Sequence, residues 1–228
     1  MNAQQAAALP ARNPFAASRL APGQIAYLFP PGDDLPALVS RLEQFGGQGQ
    51  IVGPHGSGKS TLLAMLAADL RAAGHRVALI ELHDGQRRLP AGWVAETSGN
   101  KRRVIESNTT DVHDGAVCRS RLPDTLVFVD GYEQLGWLAR WQLKRRRRRC
   151  GWGLVVTSHE PAGWPTLALT RVDRDVAQAV VAALASGFPL RPSADDVAAA
   201  FGRCGGDLRE MLFDLYDRYE ARQRNSAS

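Results

Sequence analysis

The sequence is poor in cysteine and in long apolar runs, and both shortages exclude whole classes of protein. Its 228 residues include three cysteines, Cys118, Cys150 and Cys204, an odd number with no two at a spacing typical of metal ligands. A disulfide framework and a zinc site are therefore not expected, and a reducing cytoplasm is the expected location. No run approaches the roughly 18 apolar residues of a membrane-spanning helix, and the amino terminus lacks the features of a secretory signal.

Acidic residues are outnumbered by basic ones, and the excess is concentrated in one place. The net charge is +5, and 44% of the residues are hydrophobic, enough for an ordinary globular core. An unbroken basic run begins at Lys144 and ends at Arg149. Two interpretations stay open, a patch that binds the phosphates of nucleic acid and a solvated helix face.

Strands alternate with helices through most of the sequence, which predicts an α/β fold with a mainly parallel sheet between two helical layers. An irregular arm is expected at 1–32, a core at 33–172, a small helical unit at 173–222 and a frayed tail at 223–228. The segment 97–124 is interpreted as an insertion with a short strand at 103–106. The predicted core strands are 50–52, 76–82, 125–129, 153–157 and 166–172, and the core helices are 35–45, 60–73 and 133–149.

A glycine-rich loop between the first predicted strand and a leucine-striped helix carries the clearest chemical signal. The segment GPHGSGKST fits the phosphate-binding pattern G-x-x-x-x-G-K-[ST] at every fixed position. Glycines allow a tight turn that points backbone N–H groups at phosphate oxygens, and the following helix adds the positive end of its dipole. Lys59 would supply a positive charge to the outer phosphates, and Ser60 a hydroxyl to magnesium. The predicted phosphate-binding residues are Gly53, Pro54, His55, Gly56, Ser57, Gly58, Lys59, Ser60 and Thr61.

Polar side chains follow two later strands of the predicted sheet. Asp130 ends the apolar strand LVFVD, where a carboxylate can orient the water shell of magnesium. Glu133 is either a general base for the attacking water or a helix-start carboxylate that interacts with the dipole. Ser158 and His159, in TSHE, are candidates to sense the terminal phosphate, and a turn with local hydrogen bonds is the alternative.

With these motifs in order, the chain resembles AAA+ and related additional-strand P-loop ATPases over roughly residues 48–220. Residues 53–61 match the Walker A motif of that group, residues 126–130 match Walker B, and Ser158 has the place of its first sensor. GGDLRE at 205–210 resembles the start of the lid helix in clamp loaders and replication initiators, which assigns a second-sensor role to Arg209. The sequence departs from the group at Gly131, where many members have glutamate, and no arginine lies between Ser158 and Pro165 to act as a finger in trans.

The leading hypothesis is a magnesium-dependent ATPase in which water attacks the γ-phosphate in line and the protein supplies positioning and charge. The resemblance favours ATP, and a guanine-specific N-K-x-D motif is missing, because Asn100 and Lys101 are followed by arginines. An ABC-type ATPase is disfavoured, because no LSGGQ-like signature lies between the loop and Asp130.

Two further functions stay open. In a small-molecule or nucleoside kinase, segment 97–124 with its arginines would form the lid over an acceptor. In a nucleic-acid-binding module regulated by nucleotide, Trp137, Trp141 and Trp152 would join the basic run. Assembly into a homo-oligomer or with a protein partner is compatible with each hypothesis.

Overall fold

The computed structural model describes residues 13–21, 24–90 and 121–226, which divide into two compact units. The loop-helix unit contains the described parts of residues 1–29 and 170–228, together with residues 53–65. The sheet unit contains residues 30–52 and the described parts of residues 66–169. The glycine-rich loop belongs to the loop-helix unit. Most of segment 97–124, including the expected strand at 103–106, lies outside the described residues.

Five strands form the centre of the sheet unit, in the order β2-β3-β4-β1-β5 with every neighbouring pair parallel. All six residues of β4, and all of β3 except its last, are buried, so the sheet is covered on both faces. The predicted α/β fold is confirmed. The strands are β1 (Gln48–Val52), β2 (Arg76–Glu81), β3 (Thr125–Asp130), β4 (Gly153–Ser158) and β5 (Thr166–Leu169).

The register aligns the carboxyl ends of three strands. Val52 of β1 pairs with Ser158 of β4, and Val129 of β3 pairs with Val156 of β4. Asp130, the last residue of β3, therefore lies next to the end of β4. Because ligands of parallel sheets bind outside the carboxyl ends of the strands, this edge is the expected place for catalytic side chains.

β1 is polar for a central strand, because one of its buried residues is Gln50. This glutamine is 2% exposed, its Nε2 donates to Thr166 Oγ1 at 3.1 Å, and its Oε1 accepts from the Ala162 N–H at 2.7 Å. Since both ends of the amide are bonded, its burial carries little penalty. A polar residue is thereby accommodated in the core, and the strand begins two residues before its predicted start.

Three helices accompany these strands along the chain. Helix α1 (Leu35–Gln44) is capped by Asp34, whose carboxylate accepts the Ala37 N–H at 2.7 Å, and it packs on β1 and β5. Helix α2 (Lys59–Ala72) follows the glycine-rich loop, and the boundary between the two units falls within it. Helix α3 (Trp137–Cys150) buries Ala139 and Leu143 in the sheet unit's apolar cluster.

The predicted start of α3 at residue 133 is wrong. Gly131 has a left-handed φ of +77°, and Tyr132–Gln134 forms a single 3-10 turn. Leu135 is then extended, which breaks the helical path before Trp137. The buried face consequently contains Ala139 and Leu143, and Leu138 is 49% exposed.

The loop-helix unit has its own apolar core. Helices α4 (Arg174–Leu184), α5 (Ala194–Arg203) and α6 (Leu208–Ser226) share one cluster, in which Phe15 of the amino-terminal arm is fully buried. Helix α5 begins with a capping box, since Ser193 and Asp196 each accept the other's backbone N–H at 3.1 Å. Helix α6 continues to Ser226, beyond the expected end of the helical unit at 222. Neither α6 nor any other helix in the described part of the chain is long and apolar enough to cross a membrane.

Candidate nucleotide-binding loop and sheet edge

The glycine-rich loop has the backbone that its sequence predicts. Gly56 and Gly58 adopt left-handed φ values of +64° and +87°, which residues other than glycine rarely adopt. A Cβ atom on Gly53 would overlap Thr170, and one on Gly56 would overlap the carboxylate of Asp207. Glycine is therefore required at these positions for conformation, for space or for both.

Lys59 is enclosed by the loop. It is the first residue of α2 and only 8% exposed. Its Nζ donates to the carbonyl oxygens of Gly53 at 2.8 Å and Pro54 at 2.7 Å. These two carbonyls fix the position of the ammonium group. A buried cation held inside a glycine-rich turn is suited to bind phosphate.

Among the other predicted phosphate-binding residues, one supports the loop from inside and the rest are at least partly exposed. Ser57 is 3% exposed, and its hydroxyl bonds with Pro54 O at 2.8 Å and Thr170 Oγ1 at 2.6 Å. This side chain braces the loop. Ser60 and Thr61 are half-buried in the first turn of α2, where helical N–H groups have no intrahelical acceptor. Pro54 and His55 are exposed.

A carboxylate that was not predicted as a site residue, Asp207, also adjoins this loop. Asp207 Oδ1 accepts the backbone N–H groups of Arg209 at 2.8 Å and Glu210 at 3.1 Å, so it caps α6. The same carboxylate lies against Gly56. Arg209 is exposed, with its guanidinium 5.8 Å from the ring centre of Phe213. Its second-sensor role stays a prediction.

At the sheet edge, Asp130 is held by a residue that was not singled out from the sequence. Thr157 is fully buried, and its hydroxyl donates to Asp130 Oδ1 at 2.5 Å while accepting the Gly131 N–H at 2.8 Å. Ser158, the predicted first sensor, instead donates its hydroxyl to Glu160 O at 2.7 Å. The TSHE segment was recognised as polar, but only the register shows that its threonine lies beside the aspartate.

Two predicted catalytic residues of the sheet unit are in contact. His159 Nε2 lies 2.9 Å from Glu133 Oε1, and both side chains are roughly a third exposed or less. The second carboxylate oxygen, Glu133 Oε2, is buried and has no hydrogen-bond partner within the described residues. Arg140 anchors the turn by donating to the carbonyls of Glu133 and Leu135, each at 2.8 Å. One oxygen is thus oriented by the imidazole, and the other can accept a proton.

The predicted grouping of three tryptophans with the basic run is wrong in one member. Trp152 is 6% exposed and belongs to the sheet unit's apolar cluster, two residues beyond the end of α3. Trp137 and Trp141 are 80% and 51% exposed on α3.

The comparisons with known proteins identify the fold and nothing finer. No family model matches the sequence, and no curated protein sequence matches it significantly. The crystal structure of Cdc6p from Pyrobaculum aerophilum matches with a TM-score of 0.62 at 15% sequence identity. This is the fold of AAA+ P-loop ATPases. The match to Cdc6p covers 92% of this chain and 66% of the Cdc6p chain, so this chain spans just under two thirds of the length of Cdc6p.

A structure of the replication initiator DnaA bound to AMPPCP and single-stranded DNA matches with a TM-score of 0.48 at 12% identity, covering 87% of this chain and 67% of that chain.

In the AAA+ order of strands found here, β4 is the additional strand between β1, which leads into the glycine-rich loop, and β3, which ends at Asp130. The resemblance expected from the sequence is therefore confirmed at the level of the fold.

Proposed function

We propose that this protein binds ATP with magnesium and hydrolyses the bond to the γ-phosphate. The observation that carries the proposal is the enclosure of Lys59 by the glycine-rich loop, with Nζ on the carbonyls of Gly53 and Pro54. That arrangement fits the phosphate groups of a nucleotide, because the loop combines a fixed cation, two left-handed glycines and the amino terminus of a helix.

Magnesium would be held by Ser60, with Asp130 orienting its water shell, and it would supply charge neutralisation on the transferred phosphate. No group of three or more His, Cys, Asp or Glu side chains within the described residues forms a metal site of its own. A magnesium ion needs no such group, since it is commonly held by one or two protein oxygens together with phosphates and water. The hydroxyl of Thr157 suits this role by fixing the orientation of Asp130.

Glu133 would accept the proton of the attacking water, and His159 would hold the carboxylate in place. Ser158 and Arg209 are proposed as the sensors of the terminal phosphate, as the resemblance implies. The preference for ATP over GTP and a cytoplasmic location remain predictions.

A nucleic-acid-binding role is the second candidate, favoured by the exposed tryptophans and basic residues of α3. The kinase hypothesis depends on segment 97–124, which lies mostly outside the described residues, and no observation favours it.

Phosphate release from Mg-ATP tests the main proposal. Wild type should release phosphate, Lys59→Ala should lose both binding and turnover, and Glu133→Gln should bind ATP normally and turn over slowly. Arg88→Ala, which removes an exposed cation, is the matched control and should behave as wild type. ATP binding without magnesium-dependent phosphate release in wild type would reduce the proposal to nucleotide binding, and the absence of both would refute it.

A further inference from the structure

The outer face of α3 is aromatic where the helix begins and basic where it ends. Trp137 and Trp141 are 80% and 51% exposed, and the guanidinium of Arg145 lies 5.3 Å from the ring centre of Trp141. Positions 137, 141, 144 and 148 follow one another at intervals of four, three and four residues, so they form one stripe along the helix. At 1.5 Å per residue, this stripe is about 17 Å long.

The basic end of the stripe adjoins a cavity of about 240 Å³. Three cationic side chains, from Lys144, Arg147 and Arg148, line it together with Gln48 and Trp164, and no acidic side chain among the described residues does. Arg147 Nε is buried without a hydrogen-bond partner in the described part of the chain. Burial, reinforced by the neighbouring Arg148, lowers the pKa of Arg147. An anion with several acceptor oxygens would satisfy these donors and offset the charge.

The helix dipole does not account for this charge. From Arg140 to Arg149 the helix carries seven basic residues, and α3 contains no acidic residue. Cations stabilise a helix only near its carboxyl terminus, which explains Arg147 to Arg149 and not Lys144 or Arg145. Like charges four residues apart, such as Lys144 and Arg148, repel each other and destabilise the helix. Ordinary solvated helix faces mix both signs of charge.

We propose that this stripe binds single-stranded nucleic acid, with bases stacked on Trp137 and Trp141 and phosphates bound by Lys144, Arg148 and the cavity. Stacking on exposed indoles requires unpaired bases, which a single strand offers and a duplex does not. A phosphate matches the forked donors of the two arginines. An acidic peptide would use the charges but leave the two indoles without a flat partner. The inference extends the second candidate function and requires no nucleotide at the loop around Lys59.

The test is fluorescence anisotropy with a labelled oligodeoxythymidine of about 20 nucleotides, longer than the roughly 4–16 that such sites cover. Binding is measured without ATP, over a range of salt concentrations, and also with Lys59→Ala, so that a failure of the ATPase proposal leaves the result intact. One variant combines Trp137→Ala with Trp141→Ala, and a second combines Lys144→Gln with Arg148→Gln. The matched control combines Arg88→Gln with Arg174→Gln, which removes two exposed cations elsewhere.

The tryptophan variant should bind at least about tenfold more weakly, since stacking is worth about 1–3 kcal/mol per base. The charge variant should lower the slope of log affinity against log salt by about 1.4, or about 0.7 for each lost phosphate contact. The control should bind as wild type, and the oligonucleotide should quench the fluorescence of wild type more than that of the tryptophan variant. The proposal is overturned by absent binding, by an unaffected tryptophan variant, by equal affinity for duplex, or by polyglutamate competing as well as unlabelled oligonucleotide.

Discussion

Replacing Thr157 with valine tests how Asp130 is held at the end of β3. Valine fills nearly the same space as threonine but has no hydroxyl, so Thr157→Val removes the bond to the carboxylate and the acceptor of the Gly131 N–H. Both hydrogen bonds are lost at position 157, where the side chain is fully buried. The fold should survive, because the packing of β4 is kept.

The magnitude follows from the two bonds. A hydrogen bond to a charged group contributes about 1.5–3 kcal/mol, and a buried N–H left without an acceptor costs about 1–3 kcal/mol. Asp130 and Gly131 are only half-buried, so water replaces part of each loss and the lower ends of these ranges apply. The free energy of unfolding should therefore fall by about 2–3 kcal/mol. Turnover should fall as well, since Asp130 would no longer be oriented.

A double-mutant cycle separates this bond from general damage. Urea unfolding of wild type, Thr157→Val, Asp130→Ala and the double variant should give a coupling energy of about 1–2 kcal/mol. Thr157→Ser is the matched control, because it loses a methyl group and keeps the hydroxyl. In a cycle that takes this serine variant to valine, with and without Asp130→Ala, the coupling energy should match the one measured from wild type. Additive effects within about 0.5 kcal/mol, or loss of the coupling in the serine variant, would refute the reasoning.

Three other predictions concern charges. Asp207→Asn keeps a helix-capping oxygen but removes a negative charge next to the glycine-rich loop, so calorimetry should show ATP binding about tenfold tighter; unchanged affinity would contradict this. Glu133→Gln should lower turnover about 100-fold or more with unchanged ATP binding, and a normal rate of phosphate release would remove its role as base. The backbone N–H of Ser193, helped by Arg222, lowers the pKa of Asp196, so the stability that this carboxylate provides is complete above the ordinary value of 3.8 and is lost as the pH falls through the lowered pKa. Asp196→Ala should accordingly cost about 0.5 kcal/mol at neutral pH and nothing in strong acid, as measured by urea unfolding; a cost that persists in acid would contradict the linkage.

The glycine-rich loop was predictable because its information is local. Its glycines, Lys59 and the leucine-striped helix are contiguous, and a left-handed turn followed by a helix needs no distant residue to specify it. The caps of α1 and α5 were predictable for the same reason, since Asp34 and Ser193 bond to amides three residues away. The alternation of strands and helices likewise predicted the α/β fold.

The contacts that complete the sheet edge could not be predicted, because they join distant parts of the chain. Thr157 reaches Asp130 across 27 residues, and only the register of β3 and β4 decides which residue of TSHE faces the carboxylate. The start of α3 failed for another reason. Leu135 is buried in an extended segment, so its apolar character imitated a helical pattern that begins only at Trp137.

Equilibrium binding of ATP to wild type and Lys59→Ala, with magnesium present, tests the central claim most directly. One ATP should bind per wild-type chain, and Lys59→Ala, with an unchanged circular dichroism spectrum, should bind at least about tenfold more weakly, because it loses the enclosed cation. Equal affinity in the two proteins, or no binding to wild type, would contradict the claim that this loop holds a nucleotide.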